Sequence, residues 1–262
     1  MGRVCVGSVK TERLEMGYVR FGTGQKTFVI LPGLSIKSVL ASAEGIANAY
    51  SVFADEYTVY LFDRRSDLPN VYSVYDMAKD TAEAIDALGL SDVDLFGVSQ
   101  GGMIAQCIAI ERPELVRRLV LGSTLARCDA SVSGDWIELA EKGDAKALFM
   151  SFAERVYSVP FMEKFGRILV AMSNDVTPED LGRFIILARA IDGFDVYDRL
   201  AEIQCPTLVI GAQCDRVTPV ERSVEIAEKL GCELYVYPEP YAHAVYDEAP
   251  DYKERILDFI KK

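Results

Sequence analysis

The stretch Val93-Asp94-Leu95-Phe96-Gly97-Val98-Ser99-Gln100-Gly101-Gly102 decides the fold. Residues 93–98 form an apolar run of strand length, and residues 103–111 (MIAQCIAIE) carry a helical pattern. The pentapeptide Gly97-Val98-Ser99-Gln100-Gly101 therefore falls where a strand meets a helix. A serine at such a junction sits on a sharp turn that lifts its hydroxyl clear of the backbone. The flanking glycines let strand and helix approach closely. The helix begins at once, so free backbone N–H groups and a partial positive charge lie near any oxyanion formed there. Ser99 reads as a nucleophile; the alternative is a glycine-rich turn with an incidental serine.

Outward from this point the same alternation repeats. On the N-terminal side, residues 3–9 and 15–21 alternate as a hairpin would, 27–31 and 58–62 read as short buried strands, and 39–53 and 73–88 read as helices. On the C-terminal side, strands are expected at 118–122, 206–211 and 233–237, with helices at 219–230 and 246–261. Short strands apolar on both faces and separated by helices predict an α/β fold. Its mainly parallel, twisted sheet has about eight strands and helices on both faces. Between 125 and 201 no strand is convincing, and helices are expected at 135–141, 145–157, 161–172 and 178–191. The chain thus divides into a core of residues 1–124 and 202–262 and a helical cap insertion, 125–201.

Composition removes several classes of function. The 262 residues carry a formal net charge of −12, and Lys and Arg are clustered no further than pairs. Nucleic acid and anionic membranes are poor partners for such a surface. No run of eighteen apolar residues offers a membrane span, and no apolar leader is visible at the N-terminus, so the expected location is cytoplasmic. The six cysteines are scattered with no Cys-x-x-Cys pair, which reads as buried thiols. There is one histidine, His243, so a His-rich metal site is excluded and any imidazole base must be that residue. Nothing implies a metal or organic cofactor. The expected partner is a small-molecule substrate; monomer and homodimer stay open.

A serine nucleophile at neutral pH needs a base in contact, and the base needs an orienting acid. Asp215 follows the strand at 206–211, and His243 follows the strand at 233–237. Ser99, Asp215 and His243 thus each lie past the C-terminal end of a different strand. Parallel strands bring those ends to one edge of the sheet. Asp129, after the sixth strand, is a rival acid. Asp247 and Glu248 are assigned to the last helix, and Cys214, with no second histidine to activate it, to packing.

On these residues the chain resembles the α/β-hydrolase fold superfamily, in its serine hydrolase or esterase-like branch. The resemblance implies Ser99 as nucleophile, Asp215 as acid and His243 as base. It implies an oxyanion hole made by the backbone N–H groups of Gln100 and, in the loop Leu31-Pro32-Gly33-Leu34, of Leu34. Two departures stand out. Pro32 replaces the histidine that relatives often carry before the glycine. After the fourth strand, Asp63-Arg64-Arg65-Ser66-Asp67-Leu68-Pro69 keeps Asp63 and Arg65 of the relatives' Asp-x-Arg-Gly-x-Gly-x-Ser but lacks its glycines.

Large apolar side chains crowd the cap, among them Trp136, Phe149, Phe152, Phe161, Phe165 and Phe184. Such a cap favours a small or medium, apolar carboxylic ester cleaved through an acyl-enzyme. Carbon–carbon bond hydrolysis or acyl transfer by the same triad, and a non-catalytic ligand receptor of the same fold, are the alternatives.

Overall fold

Strands β5 (Val93–Val98) and β7 (Thr207–Ala212) are buried along their whole length, as strands covered on both faces must be. A computed structural model, which describes residues 3–129 and 132–262, places them inside one eight-stranded sheet. The other strands are β1 (Cys5–Lys10), β2 (Glu15–Phe21), β3 (Lys26–Leu31), β4 (Tyr57–Arg65), β6 (Val116–Gly122) and β8 (Glu233–Tyr237). The spatial order is β1-β2-β4-β3-β5-β6-β7-β8. β1 and β2 form the expected antiparallel hairpin, and β2 meets β4 antiparallel; from β4 onward every pairing is parallel. The chain leaves β3 for β4 on one side and returns to β5 on the other. That reversal opens a crevice at the C-terminal strand ends.

Alternation along the strands feeds two cores. Phe28 and Ile30 of β3 pack with α1 (Ala43–Ala49) and α10 (Tyr252–Lys261) on one face. Val29 and Leu31 pack on the other face with α2 (Val74–Ala87), α3 (Gln100–Glu111) and α8 (Val220–Leu230). Between β6 and β7 come α4 (Gly134–Glu141), α5 (Ala145–Val156), α6 (Val159–Ala171) and α7 (Pro178–Arg189). Their buried residues, including Trp136, Leu148, Leu181 and Phe184, form a third cluster that reaches the main body through Ile36, Val217 and Ala244. A bridge between Arg127 and Asp195 ties the two ends of this insertion together.

Three elements differ from expectation, each for a local reason. The helix expected at 39–53 is a 3₁₀ turn (Val39–Ser42), the short α1 and a second 3₁₀ turn (Ser51–Phe53). Ser38 caps Leu40 N–H with its hydroxyl, and α1 buries only Ala43 and Ala47, too little to extend it. The helix expected at 246–261 is split into α9 (Val245–Glu248) and α10. Pro250 has no N–H and drives Ala249 to an extended conformation. Lastly, β4 runs on to Arg65, which pairs with Met16 of β2. Without the glycines of a tight turn, Asp63-Arg64-Arg65 stays in the sheet.

Candidate active site

Ser99 has φ 54° and ψ −122°, a region that residues with a Cβ rarely adopt. Its surroundings leave it little alternative. Its N–H donates to Gly122 O at 2.9 Å, and its carbonyl accepts from Gly102 N at 2.9 Å and Thr124 Oγ1 at 2.7 Å. The flanking glycines are required by space. A Cβ at Gly97 would stand 2.3 Å from Gly101 O, and one at Gly101 would stand 2.0 Å from Leu31 O. The loop after β3 also packs onto the serine: a Cβ at Gly33 would lie 3.1 Å from Ser99 Cβ. Leu34 in that loop borders the same cavity as Ser99, and Gln100 opens α3 immediately after it.

The sheet edge brings Asp215 and His243 together. His243 Nδ1 lies 2.8 Å from Asp215 Oδ2, and the two residues are 4 % and 7 % exposed. Asp215 sits in a turn of its own making. Its Oδ1 accepts from Val217 N and Thr218 N, both at 2.8 Å, and Thr218 Oγ1 donates to Oδ2 at 2.9 Å. The carboxylate is thereby aimed at the imidazole, and Nδ1–H is the tautomer this pairing favours. Nε2 is the ring nitrogen left for another partner. Thr218, whose Oγ1 also stands 3.3 Å from Nδ1, is not among the residues the sequence singles out; Asp followed three residues on by Thr is the local signal for it.

Ser99 and His243 face one cavity of about 30 Å³. Its walls include Leu34, Met103, Trp136, Phe152, Val217 and Tyr246. Among the described residues lining it there is no Lys, Arg, Asp or Glu. Trp136, Phe152 and Val156, from the helices between β6 and β7, thus border the same cavity as the serine.

Behind the loop after β3 lies a buried polar cluster that the sequence did not announce. Arg64, 4 % exposed, donates through Nη2 to Pro32 O at 2.8 Å and to Gln100 Oε1 at 3.2 Å. Burial pulls its guanidinium down to about 10. Gln100 Nε2 continues to Leu187 O in α7 at 2.6 Å. Asp63 accepts from Ser38 Oγ at 2.5 Å, from Arg64 N at 2.8 Å and from Arg183 of α7 at 2.7 Å.

Other candidates lie elsewhere. Asp129 is 57 % exposed along its side chain and pairs with Arg222 at 2.7 Å. Glu248 accepts from Ser158 N at 2.9 Å, and Tyr157 OH lies 3.4 Å from Asp247. Cys214 borders a separate groove that Ser99 does not line.

The alpha/beta hydrolase fold family model matches residues 26–250. A putative carbamate hydrolase, RutD, of Rhizobium rhizogenes is 28 % identical over 85 % of this chain and 92 % of its own length. The 3-oxoadipate enol-lactonase 2 of Acinetobacter baylyi is 22 % identical over 91 % of this chain and 94 % of its own. Among solved structures, the alpha/beta hydrolase enzyme MGS-M2 from a Medee basin deep-sea metagenome superposes with a TM-score of 0.87 at 23 % identity, covering 98 % of both chains.

Proposed function

Since the chain belongs to the α/β-hydrolase fold family, we propose that it is a serine hydrolase whose triad is Ser99, His243 and Asp215, acting on a small, uncharged carboxylic ester. One observation carries this reading. A serine held on a strained strand-to-helix turn shares a cavity with a histidine whose Nδ1 is engaged by a buried aspartate. In the proposed cycle His243 Nε2 takes the proton of Ser99 as Oγ attacks the acyl carbonyl. Asp215 stabilises the imidazolium, and the N–H groups of Leu34 and Gln100 receive the oxyanion. His243 then protonates the departing alkoxide. A water, deprotonated by the same imidazole, releases the acid and restores the serine.

The apolar, uncharged cavity wall supports a neutral acyl group. A carbamate has the same reacting carbonyl, and likeness to a protein named for carbamate hydrolysis supports it as a second acyl class. Free thiols at Cys5, Cys107, Cys205, Cys214 and Cys232 fit a cytoplasmic setting.

The test is labelling by a fluorophosphonate, located by mass spectrometry, beside hydrolysis of p-nitrophenyl butyrate. Ser99 is expected to carry the label, and Ser99→Ala to lose about 10⁴-fold or more in kcat. Folded protein that neither labels nor hydrolyses the ester would overturn the assignment and favour a ligand receptor.

A further inference from the structure

We propose that Arg64 is a positioning residue that holds the two halves of the oxyanion hole in register; the proposal rests on the triad reading above. The two backbone donors, Leu34 N–H and Gln100 N–H, belong to separate segments, the loop after β3 and the first turn of α3. Their spacing must match one developing oxyanion to within a few tenths of an ångström to be effective. A single nitrogen of Arg64 reaches both segments, donating to the Pro32 carbonyl at 2.8 Å and to the Gln100 side chain at 3.2 Å. Pro32 lies two residues before Leu34, and Gln100 is itself the second donor.

Stability alone does not account for this arrangement. Arg64 is 4 % exposed, and its Nε–H is buried with no partner among the described residues, a cost to folding that an apolar side chain would avoid. Charge gives a second reason. The Asp63 carboxylate pairs with the guanidinium of Arg183 at 2.7 Å and takes only the backbone N–H of Arg64, at 2.8 Å, so among the described residues no carboxylate is bonded to the Arg64 guanidinium. Two guanidinium groups against one carboxylate leave an excess positive charge behind the hole. In a site closed to water such a charge favours the tetrahedral oxyanion over the neutral ester. The Gln100 amide also bonds Leu187 O in α7, so the same bridge extends to the helices between β6 and β7.

The test uses wild type, Arg64→Met and Arg64→Lys, each normalised to the serine titrated by fluorophosphonate, so that misfolded protein is not counted. Arg64→Met is expected to lower kcat for p-nitrophenyl butyrate by about 10- to 100-fold with KM within about twofold. Affinity for an alkylboronic acid, which forms a tetrahedral anion on Ser99, should fall by a similar factor. Arg64→Lys keeps the charge but not the two-way reach, and is expected to lose about three- to tenfold. Arg64→Met with kcat per titrated serine and boronate affinity within twofold of wild type would overturn the proposal. Should Arg64→Met fail to fold, unchanged values in Arg64→Lys would overturn it. Wild type that neither titrates nor turns over would sink the triad reading, and this proposal with it.

Discussion

The guanidinium of Arg183, in α7, donates to Asp63 Oδ1 of β4 at 2.7 Å, so helix and sheet share a mostly buried ion pair. Arg183→Ala leaves the Asp63 carboxylate with only Ser38 Oγ and Arg64 N–H among the described donors. Removing one partner of a fully buried pair costs roughly 3–5 kcal/mol; with the Arg183 side chain 17 % exposed, about 2–3 kcal/mol is expected. Urea titration reads this directly, and Tm should fall by roughly 5–10 °C. A change below about 0.5 kcal/mol would mean the pair does not secure α7 to the sheet.

Asp215→Asn retains the shape of the side chain but presents an amide where His243 Nδ1–H needs an acceptor. The imidazole then turns or changes tautomer, and kcat should drop by about 10³- to 10⁴-fold with the fold intact. Thr218→Val removes only one bond to Asp215 Oδ2 and should cost roughly tenfold or less. Activity of Asp215→Asn within about tenfold of wild type would point to another acid.

The cavity wall predicts discrimination by charge. p-Nitrophenyl butyrate and the singly charged p-nitrophenyl hemisuccinate are close in size. A carboxylate pressed against Leu34, Trp136, Phe152 and Val217 finds no cation, so kcat/KM for the anionic ester should be lower by about 100-fold or more. Comparable rates on the two esters would require a cation that the described wall does not contain. Phe152→Ala, which trims the wall, should raise the relative rate on longer acyl chains.

What can be read in advance follows from how local each signal is. The strand-turn-helix around Ser99 is written in consecutive residues, and the strands at 93–98 and 206–211 are apolar runs that nothing else explains. Elements governed by a single breaker are harder to read: Pro250 lies inside a convincing helical period, yet it turns Ala249 out of the helix. The Asp63-Arg64-Arg65 segment shows the limit most clearly. The two flanking residues match a familiar pattern, yet Arg64 between them is the one that reaches Pro32 and Gln100. Those partners are 32 and 36 positions away, and no periodicity connects them.

The thiols should separate by burial. Burial pushes Cys107 up to about 12 and Cys232 up to about 11, whereas Cys5 is exposed. Iodoacetamide at pH 8 is expected to alkylate Cys5 first, with no change in whatever rate is measured on p-nitrophenyl butyrate. Cys107 or Cys232 reacting as fast as Cys5 in folded protein, by peptide mapping, would contradict this ordering.

Ser99 in its left-handed turn has a consequence for how the molecule balances durability against use. A side chain at φ 54° costs about 1–3 kcal/mol, and the bonds from Gly122, Gly102 and Thr124 hold it there regardless. Ser99→Gly would release that tension, and the silent protein should outlast the working one in a thermal melt. The hydroxyl is thus a standing expense, and the rest of the architecture is robust enough to carry it.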